Sequence, residues 1–445
     1  MKMMTMFLAA ATLLCSLSSC TGDTTQSASD GTWQDATLHM DDARNPLIGT
    51  DGNGNTLVVW WQSDGLYSSS FNQNLLWKTP QKIVDSVSQS VSFSDVHLAV
   101  NAKGDAIAAW VQTDLGSFIQ TVQTARYSAS SGWSAPQQLT PPNMVFSLDV
   151  ALDTNSNAFI AWEGLNPTVG RNIVISHSAP SSGWDSPQTF GADNRFAEFP
   201  KIAVDGAGNA FVLWLEGEAY PNNAYVNRYS PGTGWSSPQL IATNVGPAAS
   251  TNISFDTSGN AMAVWNQSDL NNHFHVYSCL YVAGNGWGSP GVVDGNTLDS
   301  IEPALTGDGS GRFRAIWVQF TGTSKDIYSS RYTAGSGWDT PQLIGTGGNA
   351  GSPRVAADGL GNAFAAWQQY DPNDVNPGDA KVYANNFTAG SGWGLQRQLK
   401  NVSGGADAPG LAVDSQGHAT VIWSQSVGYI TLGVMKYGIF TSRYQ

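Results

Sequence analysis

The chain has 445 residues and a formal net charge of −14; only 12% of its residues are charged, and 48 are glycine. The acidic excess argues against nucleic acid and anionic lipid as partners, because chain and partner would repel each other. Abundant glycine and few charges are typical of short strands and turns. No part of the mature chain shows a sustained helical period.

The first 19 residues are predicted to be a signal peptide. Lys2 provides a positive start, and residues 6–14 form an apolar run too short to span a bilayer as a permanent helix. The sequence Leu-Ser-Ser-Cys that ends at Cys20 resembles the lipobox of bacterial lipoproteins. The resemblance implies cleavage before Cys20, acylation of its thiol and, because Thr21 follows, delivery to the outer membrane. Residues 20–30 are then a lipidated cysteine with a polar tether, and residues 31–445 are the folded domain.

One cysteine of the mature domain lies far from this terminus. Cys279 falls on a predicted strand, and an acylated Cys20 offers it no disulfide partner. We therefore expect Cys279 to be a small buried residue and not a nucleophile.

Two tryptophan series repeat about every fifty residues along the chain. In the first series each tryptophan follows a turn aspartate, or Asn101 in one copy, by nine residues: Trp60, Trp110, Trp162, Trp214, Trp265, Trp317, Trp367 and Trp423. The second series mostly lies in a Gly-Trp-x-x-Pro-Gln-like phrase: Trp33, Trp77, Trp133, Trp184, Trp235, Trp287, Trp338 and Trp393. A fixed period of this size indicates one supersecondary unit copied along the chain.

The copy that begins at Pro200 shows the unit most clearly. Residues 200–204 and 210–214 predict two strands joined by the tight turn 205–209, and residues 224–229 and 235–241 predict two more. Aromatic and β-branched runs separated by Gly, Asn and Asp are typical of strands and hairpins. Four strands in about fifty residues, repeated radially, predict a β-propeller blade.

The two tryptophan series predict an all-β, eight-bladed β-propeller of four-stranded blades. The chain starts with a lone fourth-strand phrase at residues 33–38 and finishes with a lone third strand at residues 439–444. We therefore expect the N-terminal strand to complete the C-terminal blade and to close the ring without a long unpaired edge.

The repeated turns offer one carboxylate each, which favours a structural role. An aspartate at the first position of such a turn accepts backbone N–H bonds, whereas calcium requires six to eight oxygens. The pattern loosely resembles the Asp box of sialidase-like propellers, but here the turn joins strands one and two. A second weak calcium candidate is the loop with Asp371, Asp374 and Asp379, which does not match EF-hand spacing. His273 and His275 lack a third ligand nearby, so we expect no metal.

Arginines recur seven residues before the second-series tryptophan in alternate copies, at Arg126, Arg228 and Arg331, and Arg443 matches them in the last copy. If strand three ends beside the aspartate turn, Arg228 lies near Asp205 and Arg331 near Asp308. We expect structural Arg–Asp pairs and not a ligand clamp.

The opposite ends of the second strands carry the candidate binding residues. Two positions after the first-series tryptophan the copies have Gln62, Gln112, Glu216, Gln267, Gln319, Gln369 and Gln425, with Gly164 in one copy. Amide and carboxylate groups can bind sugar hydroxyls, and Tyr220 and Tyr370 can stack on a sugar face. The alternative is a ring of glutamines that satisfy backbone groups between blades.

Glu163, Glu216 and Glu218 are the candidate catalytic residues, because they depart from the repeat consensus in adjacent copies. Glycoside hydrolysis needs two carboxylates at a set separation.

The chain resembles bacterial lipoproteins built of Trp-containing β-propeller repeats, which implies a scaffold and not an activity. The leading hypothesis is a monomeric, membrane-tethered, non-catalytic propeller that binds a glycan or an envelope or extracellular protein, without a cofactor. The alternatives are a sialidase-like, glycoside-active enzyme and an envelope assembly scaffold, by analogy with the eight-bladed lipoprotein of the barrel-assembly machinery.

Overall fold

The computed structural model describes residues 31–445, except residues 75, 87–89, 141–143, 166–169, 192–194, 219, 221, 244–245, 296–297, 371–378, 400–403 and 432–433. Residues Trp33–Gln445 form one unit. Its strands follow the sequence repeats, and the units described below are numbered in the order of these repeats along the chain. No α-helix occurs in these residues, so none is long and apolar enough to span a bilayer.

The strands of units 1 to 4 alternate with short turns. Unit 1 comprises Arg44–Thr50, Thr56–Gln62, Gly65–Phe71 and Gln81–Asp85. Unit 2 comprises Val91–Val100, Ala106–Asp114, Gln120–Ser128, Gly132–Trp133 and Gln137–Gln138. Unit 3 comprises Val145–Leu152, Ala158–Leu165, Arg171–Ala179, Gly183–Trp184 and Gln188–Phe190. Unit 4 comprises Phe196–Val204, Ala210–Gly217, Asn223–Ser230, Gly234–Trp235 and Gln239–Thr243.

The remaining units repeat the same order. Unit 5 comprises Ala248–Phe255, Ala261–Ser268, Phe274–Val282, Gly286–Trp287 and Gly291–Val292. Unit 6 comprises Ser300–Gly307, Arg312–Phe320, Lys325–Thr333, Gly337–Trp338 and Gln342–Gly345. Unit 7 comprises Asn349–Ala357, Ala363–Tyr370, Ala380–Thr388, Gly392–Trp393 and Arg397–Gln398. Unit 8 comprises Gly410–Val413, Ala419–Thr431 and Val434–Tyr444, and Thr37–Asp41 pairs antiparallel with its last strand.

Each unit is an antiparallel sheet in which strands one to four lie side by side in sequence order. The fourth strand is broken: in units 2 to 7 a Gly-Trp pair bonds to one end of strand three, and a second short segment bonds farther along. This repeated four-stranded sheet is the blade of a β-propeller. The predictions of an all-β chain and of a propeller are confirmed.

The core lies between consecutive units and not within one sheet. The first-series tryptophans are buried; Trp214, for example, packs against Phe159 and Ile175 of unit 3. Trp60 and Val58 of unit 1 pack in the same way against Ile422 and Ile439 of unit 8. Second-series tryptophans such as Trp235 cover the outer part of these contacts and are only partly buried, apart from the buried Trp33. The tryptophans are therefore packing residues, as their fixed positions predict.

The antiparallel order gives the units two different edges. The turns between strands one and two lie at one edge, which we call the turn face, and neighbouring turns contact each other there. Gly52 donates its N–H to Ala102 O, and Ser415 Oγ of unit 8 donates to Gly52 O of unit 1. The connections between strands two and three, and those between units, lie at the other edge, which we call the loop face.

Cys279 lies inside a sheet and is unbridged. Burial raises the pKa of its thiol to about 11, and its Sγ donates to Gly288 O at 3.3 Å. A thiol that stays protonated at neutral pH is a poor nucleophile, so the prediction of a buried structural cysteine is confirmed.

Candidate ligand-binding site on the loop face

Most of the predicted glutamine ring is buried. The tryptophan two residues earlier on the same strand donates its indole N–H to the glutamine Oε1, in the pairs Trp265–Gln267 at 3.0 Å, Trp317–Gln319 at 3.4 Å, Trp367–Gln369 at 3.0 Å and Trp423–Gln425 at 3.1 Å. Gln267 Nε2 also donates to Asn222 O and Gly246 O. These amides satisfy buried backbone and indole groups, so a structural role accounts for them.

Two other predicted ligand-binding residues are more accessible, and they lie in two different units, 2 and 7. Gln112 is half-buried near the end of its strand, and Tyr370 is 41% exposed at the end of strand two of unit 7. Asp379 accepts the backbone N–H of Gly404 at 2.9 Å. Asp371 and Asp374, with which it was paired as a calcium candidate, lie outside the described residues.

Glu163 meets an arginine at the boundary between units 3 and 4. Its Oε1 lies 2.5 Å from Arg171 Nη1, and its Oε2 accepts a hydrogen bond from Ser147 Oγ at 3.1 Å. The same Nη1 lies 2.9 Å from Glu198 Oε1 on strand one of unit 4. One guanidinium therefore holds two carboxylates from two units.

Glu216 and Glu218 share a second arginine at the same boundary. Arg195 Nη1 lies 3.7 Å from Glu216 Oε1, and its Nη2 lies 3.9 Å from Glu218 Oε1. Glu216 is buried and also accepts the indole N–H of Trp214 at 3.2 Å, whereas the side chain of Glu218 is 83% exposed. The strand continues past Trp214 and ends at Gly217, one residue before Glu218, and both carboxylates reach Arg195.

Glycine brings the connecting segments of the two units into close contact. Gly170 has φ of 106°, and a Cβ at this position would lie 2.1 Å from Arg195 O. That carbonyl accepts the N–H of Arg171 at 3.1 Å. A side chain at position 170 would push apart the two arginine-bearing segments.

Two exposed aromatic side chains, Phe146 and Phe196, lie beside Arg171. The Arg171 guanidinium lies 4.0 Å from the centroid of the Phe146 ring. Phe196 lies two residues before Glu198 on one strand, so both side chains face the same side, and its Cα is paired with that of Arg171. The exposed fractions are 38% for Phe146, 36% for Phe196 and 42% for Tyr220. Phe199, which is 37% exposed, follows in a β-bulge with φ of 58°.

We call this set the loop-face cluster: Phe146, Glu163, Arg171, Arg195, Phe196, Glu198, Glu216 and Glu218. Flat apolar faces can stack on a sugar ring, while the carboxylates and guanidinium groups accept and donate hydrogen bonds to hydroxyls. Burial raises the pKa of the Glu163 carboxyl, although the hydrogen bond and charge of Arg171 oppose that rise. The cluster can therefore bind a polar ring, and Glu163 binds a proton more readily than an exposed glutamate.

Only some residues of this cluster were predicted from the sequence. Glu163, Glu216 and Glu218 were predicted, and the structure brings all three to the unit 3–unit 4 boundary. Tyr220, which was also predicted, is exposed between strands two and three of unit 4. Phe146, Arg171, Arg195, Phe196 and Glu198 were not predicted. They lie at strand ends and in connections outside the repeated motif, so no periodic signal marks them.

The turn-face aspartates are engaged by their own turns. Asp205 Oδ1 accepts the N–H groups of Ala207 and Asn209, and its Oδ2 accepts Asn209 Nδ2 at 2.8 Å. In the part of the chain that the structure describes, no group of three or more His, Cys, Asp or Glu side chains is arranged to hold a metal ion. The turn aspartates thus have the structural role that the sequence favours.

The two predicted Arg–Asp pairs have different outcomes. Arg331 Nε lies 3.0 Å from Asp308 Oδ2, as predicted. The prediction for Arg228 was wrong: its Nη2 donates to Asn209 Oδ1 at 3.3 Å, because Asn209 already occupies Asp205 Oδ2. In unit 6 the equivalent turn position is Arg312, so Asp308 Oδ2 is left for arginines.

No protein-family model and no curated protein sequence matches the chain. Among solved structures the chain is similar to the β-propeller domain of the Trilobed protease from Pyrococcus furiosus, with 10% identity and a TM-score of 0.45 over 83% of this chain and 99% of that one. A polysaccharide lyase of family PL25, an ulvan lyase, has 12% identity and a TM-score of 0.48 over 78% and 92%. A prolyl endopeptidase structure has 12% identity and a TM-score of 0.49 over 86% of this chain and 53% of that chain. Similarity this distant does not indicate a shared activity, so the propeller fold of the chain rests on its own strand order and packing.

Proposed function

We propose that this protein is a lipid-anchored, eight-bladed propeller that binds a neutral saccharide at the loop-face cluster. The anchor is the predicted lipid on Cys20, the compartment is the outer membrane, and no cofactor takes part. Antiparallel pairing of Thr37–Asp41 with Val434–Tyr444 supports a ring closed by the N-terminal strand. The packing of Trp60 against Ile422 and the bond from Ser415 to Gly52 support it further.

The main support for a saccharide site is the position of Phe146 and Phe196 beside Arg171. Both rings are more than one-third exposed, although large aromatic side chains are usually buried where a core is available. They flank charged groups that are already ordered by ion pairs, so binding would cost little side-chain entropy. Exposed aromatic rings beside preorganised polar groups are the arrangement that a sugar requires.

The charge of the cluster favours a neutral ligand. Four glutamates face two arginines, and both guanidinium groups are already paired with carboxylates, so the cluster has an excess of negative charge and no unpaired arginine. An acidic sugar placed there would be repelled, whereas hydroxyl groups can bind both carboxylates and guanidinium groups. We therefore expect neutral hexose or pentose units, and not uronates, at this site.

A glycoside-active enzyme is the second candidate, because Glu163 and Glu198 share one arginine nitrogen and the pKa of Glu163 is raised. Glu163 Oε1 lies 2.5 Å and Glu198 Oε1 lies 2.9 Å from Arg171 Nη1, so the distance between these two oxygens is at most the sum of the two. This limit is compatible with the separation of about 5–5.5 Å between the two carboxyl groups of retaining enzymes. Binding is favoured over catalysis because Arg171 lies between the two carboxylates, where the reacting carbon would have to be.

The test is a glycan array probed with the chain from Thr21 onward, followed by calorimetric titration of the best ligand. Phe196→Ala and Phe146→Ala should each weaken binding about tenfold, since a stacking contact contributes roughly 1 kcal/mol or more. Tyr370→Ala, which removes an equally exposed ring from unit 7, should leave the affinity unchanged.

Three outcomes would contradict the proposal. Equal losses for Tyr370→Ala and Phe196→Ala would remove the site from the unit 3–unit 4 boundary. Release of product from chromogenic glycosides, with loss in Glu163→Gln, would favour the enzyme. No glycan binding together with co-purification of envelope proteins would favour the assembly scaffold.

A further inference from the structure

A second concavity lies on the turn face, between units 4 and 5. It has a volume of about 1420 Å³, far larger than the other cavities described, which range from 180 to 430 Å³. Its lining includes Arg228, Phe255, Tyr281 and Trp287, together with serine and asparagine side chains from the surrounding turns. We call it the turn-face cavity. It has no residue in common with the loop-face cluster.

Arg228 is the charged group of this cavity with spare donors. Its only hydrogen bond from the side chain is the one of 3.3 Å to Asn209 Oδ1, and its buried Nε has no partner among the described residues. It also forms no ion pair with any described carboxylate. The Nε atoms of Arg331 and Arg443 are likewise buried without a hydrogen bond to a described residue, so it is the lack of an anion for the rest of the Arg228 guanidinium that favours a ligand with an acceptor here.

The equivalent arginines of other units are engaged by the protein itself. Arg126 donates to Ser156 O and to Ser178, Arg331 lies beside Asp308, and Arg443 lies 3.7 Å from Asp414. Arg228 alone of these four arginines combines a large cavity with the lack of a protein anion.

The two carboxylates that line the cavity, Asp205 and Asp256, already accept hydrogen bonds from other groups and form no ion pair with Arg228. Asp205 uses both oxygens for its own turn. Asp256 accepts the N–H groups of Ser258 and Asn260 at Oδ1, and Asn260 Nδ2 and Gly311 N at Oδ2. The cavity therefore offers one guanidinium that has no ion pair with a described residue, while its two carboxylates are hydrogen-bonded to neutral N–H groups.

The walls favour a ring that carries hydroxyl groups. The Arg228 guanidinium lies 5.6 Å from the centroid of Tyr281, whose ring lies 5.6 Å from Trp287. The lining also includes the polar side chains of Ser237, Gln239 and Asn285. At the boundary of units 3 and 4 the place of Arg228 is taken by His177, which stacks on Tyr229 at 4.7 Å.

We propose that the turn-face cavity binds an acidic sugar of the uronate type. The carboxylate accepts hydrogen bonds from the Arg228 guanidinium. The sugar ring lies against Trp287, and its hydroxyl groups face the serine and asparagine side chains. This inference does not depend on the loop-face site, whose two arginines are already paired with carboxylates.

The test titrates glucuronate into the detergent-solubilised full chain and follows binding by saturation-transfer NMR and calorimetry. Glucuronate should bind at least about tenfold more tightly than glucose, because a hydrogen bond between charged groups contributes about 1.5–3 kcal/mol. Arg228→Gln should remove this preference, and Arg228→Lys should keep part of it. Arg331→Gln is the matched control, because it removes an arginine at the same repeat position that already has an anion; it should leave glucuronate affinity within about twofold.

Three results would overturn the inference: equal affinity for glucose and glucuronate, equal losses in Arg228→Gln and Arg331→Gln, or phenylacetate binding as tightly as glucuronate, which would exclude selection for a sugar. Thermal unfolding of each variant checks that it is folded. Phe196→Ala should keep glucuronate binding, so failure of the loop-face proposal and failure of this one are distinguishable.

Discussion

The Nη1 atom of Arg171 lies 2.5 Å from Oε1 of Glu163, whose side chain is only 3% exposed. This contact orders the centre of the loop-face cluster, because Arg171 also stacks on Phe146 and reaches Glu198. A buried carboxylate without its cation is strongly unfavourable. The stability of this region therefore depends on the arginine.

Arg171→Met should lower the free energy of unfolding at pH 7 by about 2 kcal/mol, less than for a fully buried pair because Arg171 is partly exposed. Burial raises the pKa of Glu163 above its ordinary value of 4.5, and loss of Arg171 raises it further. A folded state with the higher pKa binds more protons, so it gains stability as the pH falls. The difference in free energy of unfolding between the parent protein and the variant, measured by urea unfolding, should therefore become smaller as the pH falls from 7 to 5. A difference that is constant over this range would contradict the assigned role of Glu163.

His97 should make the stability of the inner strands pH-dependent. Burial opposes its charge, and Lys201 adds repulsion, but hydrogen bonds to Asp149 and Asp95 hold its pKa above the ordinary value of 6.5. A histidine with a raised pKa contributes stability that is fully present below pH 6.5 and is lost as the pH rises through the folded-state pKa. His97→Gln should therefore destabilise the protein more at pH 6 than at pH 8.5 in urea titrations. The exposed His273→Gln serves as the control and should lack this difference.

Gln267 and Gln62 occupy the same repeat position but should differ in their effect on stability. Gln267→Leu leaves the Trp265 indole and the carbonyls of Asn222 and Gly246 without their partner, which should cost about 2–4 kcal/mol. Gln62 is half-buried and makes one long bond of 3.4 Å to Asp41 O, so Gln62→Leu should cost less than about 0.5 kcal/mol. Thermal and urea unfolding compare the two variants. Similar losses would argue against a structural role for the buried glutamines.

The turn aspartates should act without calcium. Asp205→Ala removes three hydrogen bonds from its turn and should cost about 1–3 kcal/mol. Asp205→Asn should cost less, because Asn101 occupies this position in unit 2 and accepts the corresponding N–H groups of Lys103 and Asp105. Addition of EDTA or calcium should leave the melting temperature of the parent protein unchanged. A rise in melting temperature with calcium that Asp205→Ala abolishes would contradict this prediction.

The outcome for Arg228 explains why contacts were harder to predict than strands. The repeat correctly brought strand three beside the aspartate turn, and Arg331 does meet Asp308. Arg228 occupies the same repeat position, but Asn209 takes the oxygen that Arg228 would need. A single neighbouring side chain thus changes the partner without changing the backbone.

The sequence by itself determined the strands, the turns and the repeat, because these depend on alternating apolar residues, glycine and aspartate within about fifty residues. It also marked Glu163 and Glu216 as unusual. Only the tertiary structure decided that both lie at one boundary. Glu163 directly follows Trp162, and Glu216 lies two residues after Trp214, so their side chains point to opposite sides of their own sheets. Glu163 points from unit 3 towards unit 4, and Glu216 points from unit 4 towards unit 3. Both therefore reach the unit 3–unit 4 boundary, where Arg171 and Arg195 bind them. Such pairing depends on the packing of separate units, which no local pattern encodes.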